Sequence, residues 1–306
     1  MTHRVAVIVR TKDRPGFLER ALADISAQTF TDLEVVVVND GGARDAVDAV
    51  VAGAALEAVS VVNSAAPGGR CAAANTGLRA VDSSYVVLHD DDDLWHPEFL
   101  ARTVAHLDAH PADAGVMVPT EIVRERAQGG AWVEYSREPF WAGLTAVSFT
   151  TLLEINRAVP ISFLYRRALH DEVGYYDESL ETVEDWEFYL RLAARHPLGF
   201  LPGQVLAYWT QRPDARGLDG NSMYELAGAH ERDDLIVRDR ALRDWVDAQG
   251  PGLPLYIALV EKRLRDDFAQ QLSEQLERQR HDIVAEIYDR HPLWRRLRRL
   301  RRRSGR

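Results

Sequence analysis

With 306 residues and 46% apolar side chains, the chain has enough material for one large domain with an appendage, and wholesale disorder is excluded. A single cysteine, Cys71, excludes an internal disulfide framework and any cysteine-based zinc knuckle, and fits a reducing compartment. The net charge of −10 conceals an acidic body and a basic end, with nine arginines and no acid from Arg290 to Arg306, and an acidic body argues against broad nucleic-acid binding.

In chain order, the first 120 residues alternate between apolar runs and helix-like stretches. Val5–Val9, Leu33–Val38, Val59–Val62, Tyr85–Leu88 and Gly115–Val118 read as short buried strands. Pro15–Ala27, Ala43–Val51, Ala72–Val81 and Pro97–Ala109 read as the intervening helices, two of them opening on proline at the first turn. This alternation predicts an α/β fold with a mostly parallel, doubly wound, Rossmann-like sheet. A hairpin is expected over Glu121–Arg126 and Ala131–Tyr135, around Gly129-Gly130. Ile161–Tyr165 reads as a further strand, Arg167–Val173 and Glu184–Arg195 as helices, and Val205–Thr210 as a late strand. From Tyr224 the pattern is helical, broken at Gly250–Pro254, with an apolar stripe at Leu264, Phe268, Leu272 and Leu276. The expected division is a domain over 1–222 and a helical C-terminal extension with a basic tail over 223–306.

Ligands of an open parallel sheet bind outside the carboxyl ends of its strands. Polar clusters follow three of the apolar runs: Arg10-Thr11-Lys12-Asp13-Arg14, Asn39-Asp40-Gly41-Gly42, and Asp90-Asp91-Asp92-Asp93. Neighbouring strands would place all three along one crevice, beside the helix opening at Pro67-Gly68-Gly69-Arg70. Glycines, a helix N-terminus, basic side chains and carboxylates together suit a phosphate ester with a metal ion. Four adjacent aspartates in a partly dry cleft repel one another, so a cation is bound there or some are protonated. In an extended segment Asp90 and Asp92 share a face. Glu184-Asp185-Trp186-Glu187 opens a helix, where acids are favoured by the dipole alone. His106 and His110 lie four residues apart on a helix with no evident third ligand, and Cys71 reads as packing.

These motifs resemble family 2 glycosyltransferases of the GT-A fold over roughly residues 4–210. Val9-Arg10-Thr11-Lys12-Asp13-Arg14 is similar to the family's opening strand and turn, and Val38-Asn39-Asp40-Gly41 to its second strand. Gly68-Gly69-Arg70-Cys71-Ala72-Ala73-Ala74-Asn75 resembles the helix that follows, and Asp90-Asp91-Asp92-Asp93-Leu94-Trp95-His96-Pro97 its Asp-x-Asp-Asp segment. Val173-Gly174-Tyr175-Tyr176-Asp177-Glu178, then Glu184-Asp185-Trp186, resemble its acceptor-side motifs. The resemblance implies a nucleotide-sugar donor and a glycan or glycolipid acceptor. Asp40 would meet a uracil or thymine base, Thr11, Arg14, Arg70, Asp90 and Asp91 would line the nucleotide, and Asp92 would hold Mn²⁺ or Mg²⁺. Asp185 would be the general base of an inverting transfer, with Glu184 and Trp186 on the acceptor side. Two departures stand out: Ala73-Ala74-Asn75 where many relatives carry Ala-Arg-Asn, and Tyr208-Trp209-Thr210-Gln211-Arg212 where many carry a histidine.

Two other readings compete. A nucleotidylyltransferase would need a glycine-rich loop after the first strand, which Thr11–Gly16 lacks, and a catalytically silent binding module would not need both the aspartate run and Glu184-Asp185. No apolar run reaches the ~18 residues of a membrane span and Val5–Val9 is too short for a signal peptide, so a cytoplasmic protein is expected. Trp294, Leu297 and Leu300 recur among arginines, the pattern of a short helix on an anionic membrane surface. The stripe at Leu264–Leu276 would pair two copies or pack on the core.

Overall fold

A computed structural model describes residues 3–64 and 68–290. The basic segment Trp294–Arg303 and Pro67 lie outside the described residues. In chain order the elements are β1 (Val5–Thr11), α1 (Pro15–Ser26), β2 (Leu33–Asn39), α2 (Arg44–Gly53), β3 (Val59–Asn63), α3 (Gly69–Arg79), β4 (Tyr85–Asp90), β5 (Leu94–Trp95) and α4 (Phe99–Ala109). They continue with β6 (Gly115–Met117), β7 (Thr120–Gln128), β8 (Ala131–Pro139), α5 (Phe149–Glu154), β9 (Phe163–Arg166), α6 (Leu169–Val173), α7 (Glu184–Ala193), β10 (Gly199–Phe200) and β11 (Ala207–Gln211). Three helices follow: α8 (Ser222–Glu225), α9 (Ala227–Gln249) and α10 (Gly252–Arg290). The chain forms two compact units that divide inside α9, one running to Val237 and the other beginning at Arg238.

The first unit is the expected α/β fold. Its seven-stranded sheet has the order β10-β6-β9-β4-β1-β2-β3, parallel except at β9, which runs antiparallel between β4 and β6. Strand β1 is central and buried along its whole length, as a strand covered on both faces must be. One layer of core is built on Val5, Val7 and Val9 with α1 and α4, the other on Ala6 and Ile8 with α3 and α7. Alternate residues of one strand therefore feed opposite layers. A smaller sheet, β5-β11-β7-β8, contains the expected hairpin, closed by Gly129 and Gly130 at φ 62° and 84°. Both signs are those of a type I′ turn, which only glycine adopts without strain there. Apolar patterning does not reveal β5 and β10, two residues each, or the short α5, whose Ser148 cap bonds reciprocally with Thr151.

In the second unit, α10 exposes Leu264, Phe268, Leu272 and Leu276, so the stripe is not core. Ion pairs one turn apart, such as Arg265 with Glu261 and Lys262 with Asp266, line the same helix. Among the described residues, no helix is long and apolar enough to cross a membrane.

Helix α3 lies so close to the sheet that a Cβ on Gly77 would sit 2.3 Å from Ile8 Cγ2 and 2.9 Å from Val38 Cγ2. Gly77→Ala is expected to lower the unfolding free energy by about 1–3 kcal/mol, the cost of overpacking a filled core. Urea denaturation followed by circular dichroism measures it.

Candidate active site

The strand register fixes the site. Thr11 pairs with Asn39 and Arg10 with Asp90, so the ends of β1, β2 and β4 stand level at one edge. The loops leaving them are tied together. The Asp13 side chain accepts from Ala43 N at 2.8 Å, and Asn39 closes its own turn by accepting from Gly42 N at 3.0 Å and donating to Gly42 O at 2.8 Å. Gly42 must lack a side chain, because a Cβ there would lie 2.7 Å from Asp13 N.

The aspartate run leaves the end of β4 and turns inward. Asp91 is fully buried, one oxygen accepting from Thr11 Oγ1 at 2.7 Å and both engaged by Arg14. Asp91, expected to line the nucleotide, is thus enclosed by Thr11 and Arg14. Asp92 is paired with Arg14 and Arg212 and accepts from Asn221 Nδ2 at 3.2 Å, all through Oδ2. Among the described residues Asp90 meets Arg10 through Oδ1 alone, at 2.6 Å. Asp93 accepts from Thr210 N at 2.9 Å and is buried. The expected counter-charge is thus partly built in, as Arg10, Arg14 and Arg212. Burial also pushes Asp91 up to about 7 despite Arg14, and burial with the Asp92 and Asp90 charges holds Asp93 well above the usual carboxylate range.

Arg212, immediately after β11, has no exposed surface. It donates to Glu125 Oε2 at 3.2 Å and Asp219 O at 2.9 Å, and lies 4.4 Å from the centre of the Phe17 ring. It ties the smaller sheet to the aspartate run. Among the described residues the contacts of Asp92 use Oδ2 and those of Asp90 use Oδ1. Carboxylate oxygens such as Asp92 Oδ1 and Asp90 Oδ2 are the hard donors that Mg²⁺ or Mn²⁺ takes.

Across the crevice, Arg10 Nη1 reaches Glu184 Oε1 at 3.1 Å and Arg70 O at 3.2 Å. Arg70 stands over the same carboxylate, 3.8 Å from Glu184 Oε2, and donates to Glu181 O. Burial opposes ionisation of Glu184, but Arg70 and Arg10 hold its carboxyl below the usual range. Asp185, adjacent on the first turn of α7, goes the other way: burial and the Glu184 charge push it up to about 7. It accepts from Asn156 Nδ2 at 2.9 Å and Trp186 N at 2.7 Å. Trp186, expected on the acceptor side, is buried and donates to Leu152 O at 2.7 Å, which anchors α5 on α7.

Two supports lie beyond sequence reasoning. Asp233 of α9 accepts from Glu181 N and Thr182 N, both at 2.8 Å, and fixes the loop that launches α7. Asn75 of α3 donates to Tyr176 O at 2.9 Å and accepts from Tyr176 N at 3.0 Å. Arg10 and Arg212 are visible next to the motifs, but nothing local names their distant partners.

The profile of the family described as glycosyl transferase family 2 matches residues 6–174. The uncharacterized glycosyltransferase YwdF of Bacillus subtilis (strain 168) is 31% identical over 211 residues, 67% of this chain and 74% of that protein. The succinoglycan biosynthesis protein ExoW of Rhizobium meliloti (strain 1021) is 35% identical over 37% of this chain and 36% of its own length. Among solved structures, S. aureus TarS 1-349 in complex with UDP-GlcNAc superposes with a TM-score of 0.57 at 22% identity, over 72% of this chain and 61% of that one. This chain therefore spans about three fifths of the TarS chain in that structure.

Replacing Arg10 by methionine would leave Glu184 and Asp90 without their shared buried partner. Breaking a buried pair in this way costs about 3–5 kcal/mol. Arg10→Met is expected to shift the urea midpoint accordingly, whereas Arg44→Met, which breaks an exposed pair with Asp48, should stay within about 0.5 kcal/mol of the parent.

Proposed function

The chain belongs to glycosyl transferase family 2, and we propose that it moves a sugar from a UDP- or dTDP-sugar to a hydroxyl of a glycan or glycolipid, with inversion at the anomeric carbon. Asp40 carries the donor half of this reading. It is 8% exposed, and its Oδ1 is buried without a hydrogen-bond partner among the described residues. A buried acceptor of this kind needs a donor, and the imide N–H of uracil or thymine supplies one. Thr11 and Asp90 lie level with it, and Arg14 brings positive charge for the diphosphate. A divalent cation, when bound, neutralises charge on the departing diphosphate, and Asp92 with Asp90 would hold it. The name of ExoW and the ligand of TarS support polysaccharide assembly from a nucleotide sugar.

Asp185 carries the acceptor half. The acceptor oxygen bonds to the anomeric carbon as the bond to the diphosphate oxygen breaks, and the hydroxyl proton passes to Asp185. A base working at neutral pH needs a proton affinity near that pH, and about 7 meets this requirement. Glu184, held ionised by Arg10 and Arg70, keeps the Asp185 affinity high, and Asn156 orients the carboxylate.

Three measurements test this reading. Asp185→Asn should lower transfer on the order of 10²- to 10⁴-fold with donor affinity unchanged within a few-fold; near-normal transfer by the folded variant would remove the base assignment. Because Asp185 must be deprotonated to act, kcat should rise with pH and level off above about 7, and a profile flat from pH 5 to 8 contradicts that role. Calorimetry should show UDP or dTDP binding more tightly than GDP or ADP, and more weakly with chelator than with Mn²⁺. GDP binding as tightly as UDP would end the assignment of Asp40 to a pyrimidine.

A further inference from the structure

The opposite edge of the main sheet carries a second cluster of ligand-type side chains. Helix α4 ends at Ala109, and the chain turns through His110 and Asp113 into the start of β6. Because β6 and β10 run parallel to β4, their amino ends lie on the edge away from Asp90. There His106, His110 and Asp113 place two ring nitrogens and a carboxylate oxygen within 4.8 Å of one another. Asp113, three residues beyond His110, is the third ligand that the helical spacing of the histidines alone does not reveal.

The cluster is held in place by the backbone around it. His110 Nδ1 lies 2.9 Å from His106 O. A carbonyl only accepts, so Nδ1 carries the hydrogen and the neutral ring keeps its lone pair on Nε2, as in a metal-binding histidine whose other nitrogen donates to a carbonyl. His106 Nε2 donates to Asp113 Oδ2 at 2.9 Å, so an ion binding there displaces that proton to solvent, and the two rings stack with centroids 4.2 Å apart. Arg166 fixes the turn by donating to the carbonyls of Asp113 and Leu107 at 2.9 and 2.8 Å. Strand β10 crosses so closely that a Cβ on Gly199 would stand 2.5 Å from His106 Nε2 and 2.6 Å from Asp113 Oδ2. The negative end of the α4 dipole points at the group, which favours a cation.

We propose that His106, His110 and Asp113 form a binding site for a zinc-class transition-metal ion, clamping the end of α4 against β10. Two imidazoles and one carboxylate select Zn²⁺, Co²⁺ or Ni²⁺ over Mg²⁺ or Ca²⁺, and three protein ligands leave a coordination position open to water. Ligand atoms of a bound ion stand about 3.3–3.5 Å apart at the usual 2.0–2.2 Å bond lengths, so small side-chain rotations close the site. The site is separate from the aspartate run and does not depend on the proposed transfer.

The test uses untagged full-length protein stripped of metal and titrated with Zn²⁺ against a chromogenic chelator. Wild type should bind one equivalent that survives Asp92→Asn and weakens at least about tenfold in His110→Ala and Asp113→Asn. Zn²⁺ should raise the melting temperature of wild type and not of His110→Ala. His110 is exposed, so that variant keeps the fold, which circular dichroism checks. Co²⁺ should give the visible absorption of a low-coordinate nitrogen–oxygen site in wild type and in Asp92→Asn. Zn²⁺ binding unchanged in both His110→Ala and Asp113→Asn, or abolished by Asp92→Asn, overturns the proposal.

Discussion

The burial of an acidic run at the end of a central strand is the constraint around which this domain is arranged. Asp90 to Asp93 leave β4 where two core layers close over the sheet, and three of the four carboxylates have almost no exposed surface. Desolvating such a group costs several kcal/mol unless a partner or a proton compensates. Both forms of compensation are present, and they are distributed unequally. Asp91 and Asp92 share Arg14, Asp92 also takes Arg212, and Asp93 resists ionisation. Each arginine has a second attachment elsewhere: Arg10 on Glu184, Arg212 on Glu125, and Arg14 over the ring of Phe17. The compensating charges therefore also dock α7, the smaller sheet and α1 around one edge. A change that unpaired one arginine would loosen a whole element along with the local charge.

The same logic separates Glu184 from Asp185. Two adjacent carboxylates on the first turn of a helix cannot both ionise cheaply in a dry setting. Arg10 and Arg70 bear chiefly on Glu184, so it keeps the charge, and that charge with burial makes Asp185 hold the proton more firmly. The sign matters for stability. Asp185 and Asp91, whose carboxyls are raised in the folded chain, contribute stability that is complete below the ordinary carboxylate range and is lost as pH rises through about 7. Glu184 contributes in the opposite sense, losing its share only as pH falls below the ordinary range. The neutral-pH site is thus stocked with carboxylates that ionise at the expense of the fold, a pattern common where chemistry and not stability sets the residue.

Much of the carboxyl edge of the main sheet was legible because it depends on neighbours in sequence. An apolar run ended by polar residues gives a strand and its carboxyl end, and three such runs give a crevice once β1 is placed between β2 and β4. Asp40, Asp90 and Asp92 follow from that reading. Other features depend on what happens far along the chain. Trp186 donates to Leu152 O, a contact set by the unpredicted helix α5. Arg212 reads as a departure from a histidine pattern until the fold lays it on Asp92, 120 residues away in sequence. Asp233 is one acid in an acidic helix, and only tertiary contact distinguishes it.

Asn75 shows how a motif residue can support a neighbouring loop. In sequence it belongs to the helix that follows the third strand, beside residues expected to line the nucleotide. In the fold its amide faces backward, fixing Tyr176 in both directions and reaching Glu178 at 2.8 Å, while Cys71 one turn earlier donates to Leu180 O. Helix α3 thus holds up the loop that leads to Glu184 and Asp185. Gly77, two residues on from Asn75, lets that helix sit directly on Ile8 and Val38. The position of Glu184 and Asp185 thus depends on the closeness of α3 to β1, the strand that also delivers Thr11 to the crevice. The spacing between the two acidic clusters is in this way a property of core packing.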